Sequence, residues 1–326
     1  MSLIKKFTNR LSSKTTIFAF LLLFIAASII FQEKNFFSFV SIQNILRKAS
    51  TDGGLLALGM TFVILIGCID LSVGSVLALS GALAAMVGNI NPVLGILVGL
   101  LTGLGCGFLN GFMVTKMRIS PWVATLATLL GIRGVVFLVT SKKAVKITND
   151  TMIALANTDI FGIKSSVYIF IALTLICMYV AKYTKFGMAL YAVGGNEEAA
   201  KMMGLKVDRI KLTAYMMTGL FAGIAGILLS SRLYAAQAVA GNLWETDAIA
   251  ACAIGGIMLS GGVGKFSGTF FGVLIIVILN TAFNYFGNVS SWWQNIIMGV
   301  LILISIGVQS EVFQLKKIKL KKEMVA

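Results

Sequence analysis

The chain has 326 residues, 58% of them hydrophobic and only 12% charged, with a formal net charge of +15. A soluble globular domain is about a quarter charged, so this composition excludes one and points to a polytopic, all-α membrane protein. Histidine is absent, which removes imidazole catalysis and histidine metal sites.

A bilayer-spanning helix needs roughly 20 mostly apolar residues. Runs that meet this lie near 15–31, 53–69, 72–89, 92–115, 121–140, 164–181, 212–235, 245–260, 267–284 and 292–309, which predicts ten spans in a single transmembrane domain covering 1–326. The first run has a basic start and a small-residue stretch, Ala26-Ala27-Ser28, as a signal peptide would. Gln32, Glu33 and Lys34 and nine further spans follow it, so it reads as an uncleaved span.

Residues 53–89 carry one charge, Asp70. A single helix of that length would reach roughly 55 Å, beyond a core of roughly 30 Å, so the chain breaks within GCIDLSVGS (67–75). Asp70, with Ser72 and Ser75 beside it, either caps the turn or faces a solute pathway. In the fourth span Gly95, Gly99, Gly103, Gly107 and Gly111 recur every four residues and fall on one face, a packing seam or a moving gate. Gly219, Gly223 and Gly226 form a similar series in the seventh span.

An even number of spans places both termini on one side. With the N-terminus inside, eighteen Lys and Arg residues fall in inner segments and seven in outer ones, which supports an N-in, C-in topology with a basic cytoplasmic tail near 311–326. The positive charge follows topology and forms no nucleic-acid-binding domain. The Asn-x-Ser/Thr matches at Asn149 and Asn288 lie in outer loops and read as chance. Cys68, Cys106, Cys177 and Cys252 each sit in an apolar run and read as buried thiols. GGVGKFSG (261–268) fails as a phosphate loop: Leu259 stands where the first glycine is required, and Phe266 where Ser or Thr follows the lysine. No nucleophile–base pair, metal cluster or cofactor motif is present, so the chain is no enzyme, holds no cofactor, and any ATP-driven work needs ATP hydrolysis on another subunit.

The polar stretch GGNEEAAKMMG (194–204) interrupts the apolar chain inside a large inner loop, 183–211. Asn196 suits an N-cap, Glu197 and Glu198 sit where a helix dipole favours anions, and Gly204 suits a C-terminal stop. Ala199, Met202 and Met203 share a face, so the helix offers a small apolar ridge with a charged rim to a groove on a partner.

GGNEEAAKMMGLKVDRIK resembles the cytoplasmic loop of ribose-type ABC-importer permeases. ALGMTFVILIGCIDLSVGSVLALSGA (57–82), LNGFMVTKMRISPWVATLATLLGIRG (109–134), WETDAIAACAIGGIMLSGGVGKFSGTFFG (244–272) and the region after Trp292-Trp293-Gln294 resemble the same family in order and spacing. The resemblance implies a permease of the bacterial cytoplasmic (inner) membrane. It implies three partners: a second permease subunit, identical or different, cytoplasmic ABC ATPase subunits, and an extracytoplasmic sugar-binding protein. It also implies that Gly195, Asn196, Glu197, Glu198, Ala199, Ala200, Met203 and Gly204 couple to the ATPase. Where the family has Gly-Tyr-Glu-Leu-Asp-Ala, this chain has Leu243-Trp244-Glu245-Thr246-Asp247-Ala248, and the solute stays open among ribose, galactosides, xylose, autoinducer-2 and nucleosides. Asp70, Ser72, Asn110, Thr125, Thr128 and Asn280 are the pathway candidates; Gly99, Gly103, Gly107 and Gly111 are the packing candidates. The rival, an ion-coupled secondary transporter, would have only Asp70, Asp247 and Arg133 to work with.

Overall fold

The computed structural model describes residues 13–286, with positions 293, 296, 297, 299–304 and 307 beyond them. It is helical almost throughout. Sheet among the described residues is limited to four two-residue strands in two antiparallel pairs. Five helices are long and apolar enough to cross a membrane, and three shorter apolar ones accompany them.

The first helix described, α1, runs Ser13–Ile30. A single 3-10 turn leads to α2 (Phe39–Thr51), where 32–52 reads from sequence as an outer loop. This helix starts on Ser38, whose side chain accepts from Ser41 N, and buries Ser41, Ile45 and Ala49 while Phe39 and Val40 remain exposed. Its apolar face is too short to register as a span, which is why the sequence conceals it.

The predicted break then appears. Helix α3 (Gly54–Leu65) ends after 12 residues, about 18 Å. The chain turns through Ile66–Ser72 with Gly67 at φ +73°, and α4 (Val73–Gly88) returns. Proline opens both α5 (Pro92–Thr115) and α6 (Pro121–Thr140), which coincide with two predicted spans. The α6–α7 connection contributes β1 (Val145–Lys146), and Asn149 caps α7 (Asp150–Asn157) through Thr151 N at 3.0 Å and Met152 N at 3.3 Å. A hairpin, β2 (Asp159–Ile160) with β3 (Ile163–Lys164), leads into α8 (Ser165–Tyr183).

The inner loop holds two helices rather than one. Helix α9 (Lys185–Gly195) buries Gly187, Ala189, Leu190 and Val193, and α10 (Glu197–Met202) follows. Helix α11 (Val207–Leu233) is 27 residues long and starts five residues before the predicted span. β4 (Ala235–Ala236) pairs with β1. Helix α12 (Trp244–Ile254) stops well short of residue 260, because Gly256, Gly261, Gly262 and Gly264 all adopt positive φ. Helix α13 spans Phe266–Phe286. The predicted tenth span, 292–309, and the tail near 311–326 lie largely or wholly outside the described residues, as does Asn288.

Helix α11 forms the centre of the molecule, in contact with α3, α4 and α5. Its approach to α5 is backbone on backbone. A Cβ at Gly103 would sit 2.3 Å from Gly219 O, and one at Gly219 would sit 2.2 Å from Gly103 O. Gly99 meets Ile227, Gly107 meets Tyr215 O, and Gly111 meets Leu212, so the α5 glycines run along α11. On its other side Gly226 meets Leu77 O of α4. Within a membrane this close approach substitutes for a hydrophobic driving force, because lipid is as apolar as leucine. Hydroxyls lock the same core: Thr218 Oγ1 donates to Gly59 O at 2.8 Å, and the Thr61 and Thr269 hydroxyls lie 2.8 Å apart between α3 and α13. At the C-terminal end of α11 Arg232 pairs with Asp52 and donates to Thr51 Oγ1.

Candidate functional site

Two clusters of sequence-singled residues emerge, one in the inner loop and one at the α3–α4 break. In the loop, Asn196 adopts extended backbone and its Oδ1 accepts from Ala199 N at 2.9 Å, the expected N-cap. Gly204, at φ +81°, closes α10: its N–H donates to Lys201 O, and Leu205 N–H reaches back to Ala200 O. Ala199, Met202 and Met203 are exposed, with Met202 at 88% and Met203 at 69%, and exposed Glu198 borders them.

Two other residues of that stretch, Ala200 and Glu197, engage the chain itself. Ala200 is fully buried, so it anchors α10 instead of presenting a surface. Glu197 is tied to Lys211 of α11 at 2.6 Å and to Lys201 at 2.9 Å. Hydrogen bonds from Lys211 first and Lys201 second hold its carboxyl below the ordinary glutamate range. Arg118, in the α5–α6 turn, forms a two-pronged pair with Asp208 at 3.1 and 3.2 Å. The loop is thereby fastened to α11 and to the turn between α5 and α6.

The residue that sequence reasoning missed is Gly194. A Cβ there would lie 1.8 Å from Leu65 O and 2.5 Å from Gly262 N, whereas Gly195 and Gly204 have no atom within 4 Å of theirs. Gly262 N–H donates to Leu65 O at 2.9 Å, and Tyr191 Oη donates to Gly264 O at 3.0 Å. The base of α10 therefore meets the end of α3 and the α12–α13 loop at backbone contact. The signal was the doubled glycine: the first is the one space requires.

At the break, Asp70, Ser72 and Asn110 converge, all essentially unexposed. Asp70 Oδ1 accepts from Ser72 N at 2.9 Å and Ser72 Oγ at 2.7 Å, which is a turn cap. Asn110 Nδ2 of α5 donates to Ser72 Oγ at 2.8 Å and lies 3.3 Å from both Asp70 oxygens. Tyr215 Oη of α11 donates to Ile69 O at 3.3 Å. The turn is thus held by α5 and α11 together. Thr125 and Thr128 of α6 do not join it; both are buried and donate to carbonyls of their own helix. Asn280 stands apart on α13, half-buried.

The family model for the permease component of branched-chain amino acid transport systems matches residues 41–306. The chain belongs to this permease family. The ribose import permease protein of Bacillus subtilis (strain 168) is 42% identical over 271 residues, covering 82% of this chain and 84% of the relative. That of Escherichia coli (strain K12) is 39% identical over 288 residues, covering 85% and 88%. The L-arabinose transport system permease protein of Escherichia coli (strain K12) is 35% identical over 289 residues, covering 88% and 87%. No solved structure matches the chain. This multi-pass membrane permease carries α10 on an anchored base, with one apolar ridge uncovered among the described residues.

Proposed function

We propose that this permease is the membrane subunit of an ATP-driven importer of a neutral monosaccharide, coupled through α10 to separate ABC ATPase subunits and supplied by an extracytoplasmic binding protein. One observation carries the reading: α10 exposes Ala199, Met202 and Met203 while Glu197, Ala200 and Gly194 fix its base to α11, α3 and the α12–α13 loop. A helix anchored this way transmits a push at its ridge to the helix ends it touches, and packed elements respond by switching between discrete arrangements. The ribose and L-arabinose permeases among its relatives support a sugar as cargo. Asp70 bonds to hydroxyl and amide groups and Arg133 donates to backbone carbonyls, so neither offers the acid–base pairing that ion coupling uses.

The test is reconstitution of the permease with its ATPase subunits in liposomes. Binding protein loaded with ribose, L-arabinose, xylose or a galactoside should stimulate ATP hydrolysis and drive uptake for at least one sugar. Met203→Glu, which puts a charge on the ridge, should depress ATPase co-purification and uptake together. Uptake driven by an ion gradient without ATP would overturn the reading.

A further inference from the structure

The connection between α11 and α12 does not stay at the outer surface. After β4 it dives inward, and Gly241, at φ +68°, lands on α4: a Cβ at Gly74 would sit 2.0 Å from Gly241 O and 3.0 Å from a Glu245 carboxylate oxygen. Its depth follows from the helices beside it. Gly226, which touches Leu77 O, lies two turns inward of Leu233, the last residue of α11; Gly74 lies almost one turn further in. At 1.5 Å per residue that places Gly241 about 15 Å from the outer end, half of a core roughly 30 Å thick. Arg133 gives a second gauge. It donates to Ala238 O at 3.0 Å and Ala240 O at 2.8 Å, from a position two turns below Thr140, the outer end of α6.

Irregular backbone at this depth is tolerated only where protein or a water-filled cavity surrounds it. Yet the side chains of Gln237, Asn242 and Thr246 are exposed. Among the described residues neither amide has a hydrogen-bonding partner, while Thr246 Oγ1 donates to Leu243 O. Facing lipid, such amides would cost several kcal/mol each by the order of magnitude for unsatisfied polar groups. The charges nearby are turned inward: Arg133 is engaged by the two carbonyls and lies in the field of buried Glu245. What remains on the open side is amide and hydroxyl, beside exposed Val239 and Leu243 and half-buried Asp247.

We infer that the re-entrant segment Gln237–Thr246 lines the solute path at mid-membrane and takes a neutral, hydroxyl-rich solute, with Asn242 and Thr246 making the contacts. The inference rests on the importer reading above. Arg133 and Gly74 hold the segment in place and do not touch the solute.

The experiment uses the full complex in proteoliposomes, with Asn242→Cys, Thr246→Cys and, at the outer end, Leu233→Cys. Each is treated with a hydrophilic, membrane-impermeant methanethiosulfonate, and the unsubstituted protein gives the baseline for the native thiols. Asn242→Cys and Thr246→Cys should both be modified, and modification should abolish most sugar uptake while binding-protein-stimulated ATP hydrolysis persists. Leu233→Cys should be modified without that loss. The inference is overturned if positions 242 and 246 resist the reagent, or if they are modified with uptake intact. Failure of the importer reading shows separately, as unsubstituted complex whose ATP hydrolysis no sugar-loaded binding protein stimulates.

Discussion

Glycine serves two opposite purposes in this permease, and the contrast lies between the α5–α11 seam and the α10 loop. Along the seam, Gly103 and Gly219 are glycines because no other side chain fits: each would drive a Cβ into the facing backbone. In the loop, a Cβ on Gly195 or Gly204 would meet no atom within 4 Å, and Gly204 is a glycine because of its left-handed backbone. One region uses the missing side chain to bring helices together; the other uses it to end a helix that stays apart. The coupling proposed above would need both.

The largest effect should come from filling the seam. Gly103→Leu should abolish recovery of folded permease from membranes, because the opposing atoms are backbone and cannot rotate away. On the same helix Gly105 has nothing within 4 Å, so Gly105→Leu should be recovered as well as the parent. Equal recovery of the two variants, measured by detergent extraction and size-exclusion chromatography, would break the distinction. The comparison is sharpened at the doubled glycine. Gly194→Ala should disturb the junction of α10 with Leu65 and Gly262 and cost most of the sugar-stimulated ATP hydrolysis. Gly195→Ala should leave it unchanged.

A smaller effect is expected at Gly204. Alanine there meets no atom but must adopt φ +81°, which costs on the order of 1 kcal/mol. The seam is untouched, so Gly204→Ala should fold normally and lower ATPase co-purification only in part. Thermal unfolding followed beside co-purification separates the two: a large fall in melting temperature would mean that the loop glycines also hold the fold.

Much of this architecture was legible because two signals are strong in any membrane chain. Apolar length gave α5 and α6, and the glycine and single charge within GCIDLSVGS (67–75) located the break near Asp70. The cap chemistry of Asn196 and Gly204 gave α10. What stayed hidden was set by tertiary contact. Helix α2 is stabilised by an apolar face shorter than a span. Ala200 and Glu197 turn inward because Lys211 lies opposite, which no local pattern reveals. The descent of 237–243 is fixed by Arg133 from a distant helix and by Gly74, a glycine outside any regular series. Asn110 and Ser72 were each legible as polar residues at depth, but their pairing was not.

The smallest effect concerns the tie between α10 and α11. Glu197 bonds Lys211 and Lys201, and its carboxyl is held below the usual range. A depressed folded-state value means that the ion pairs contribute fully above the unfolded glutamate range, about pH 4.3, and are lost as pH falls through the lower folded value. Glu197 is partly solvated, with its side chain 36% exposed, so screening keeps the contribution small. Amide hydrogen exchange across 196–211, corrected for intrinsic rates, should show steady protection from neutral pH down to about pH 5 and a decline below about pH 4. Glu197→Gln should flatten that profile and lower protection modestly at neutral pH, while amides of the α5–α11 seam stay protected in both proteins. If the variant and parent share one profile, Asn196 and Gly204 alone hold α10 in place, and its attachment to α11 rests on buried Ala200 without help from charge.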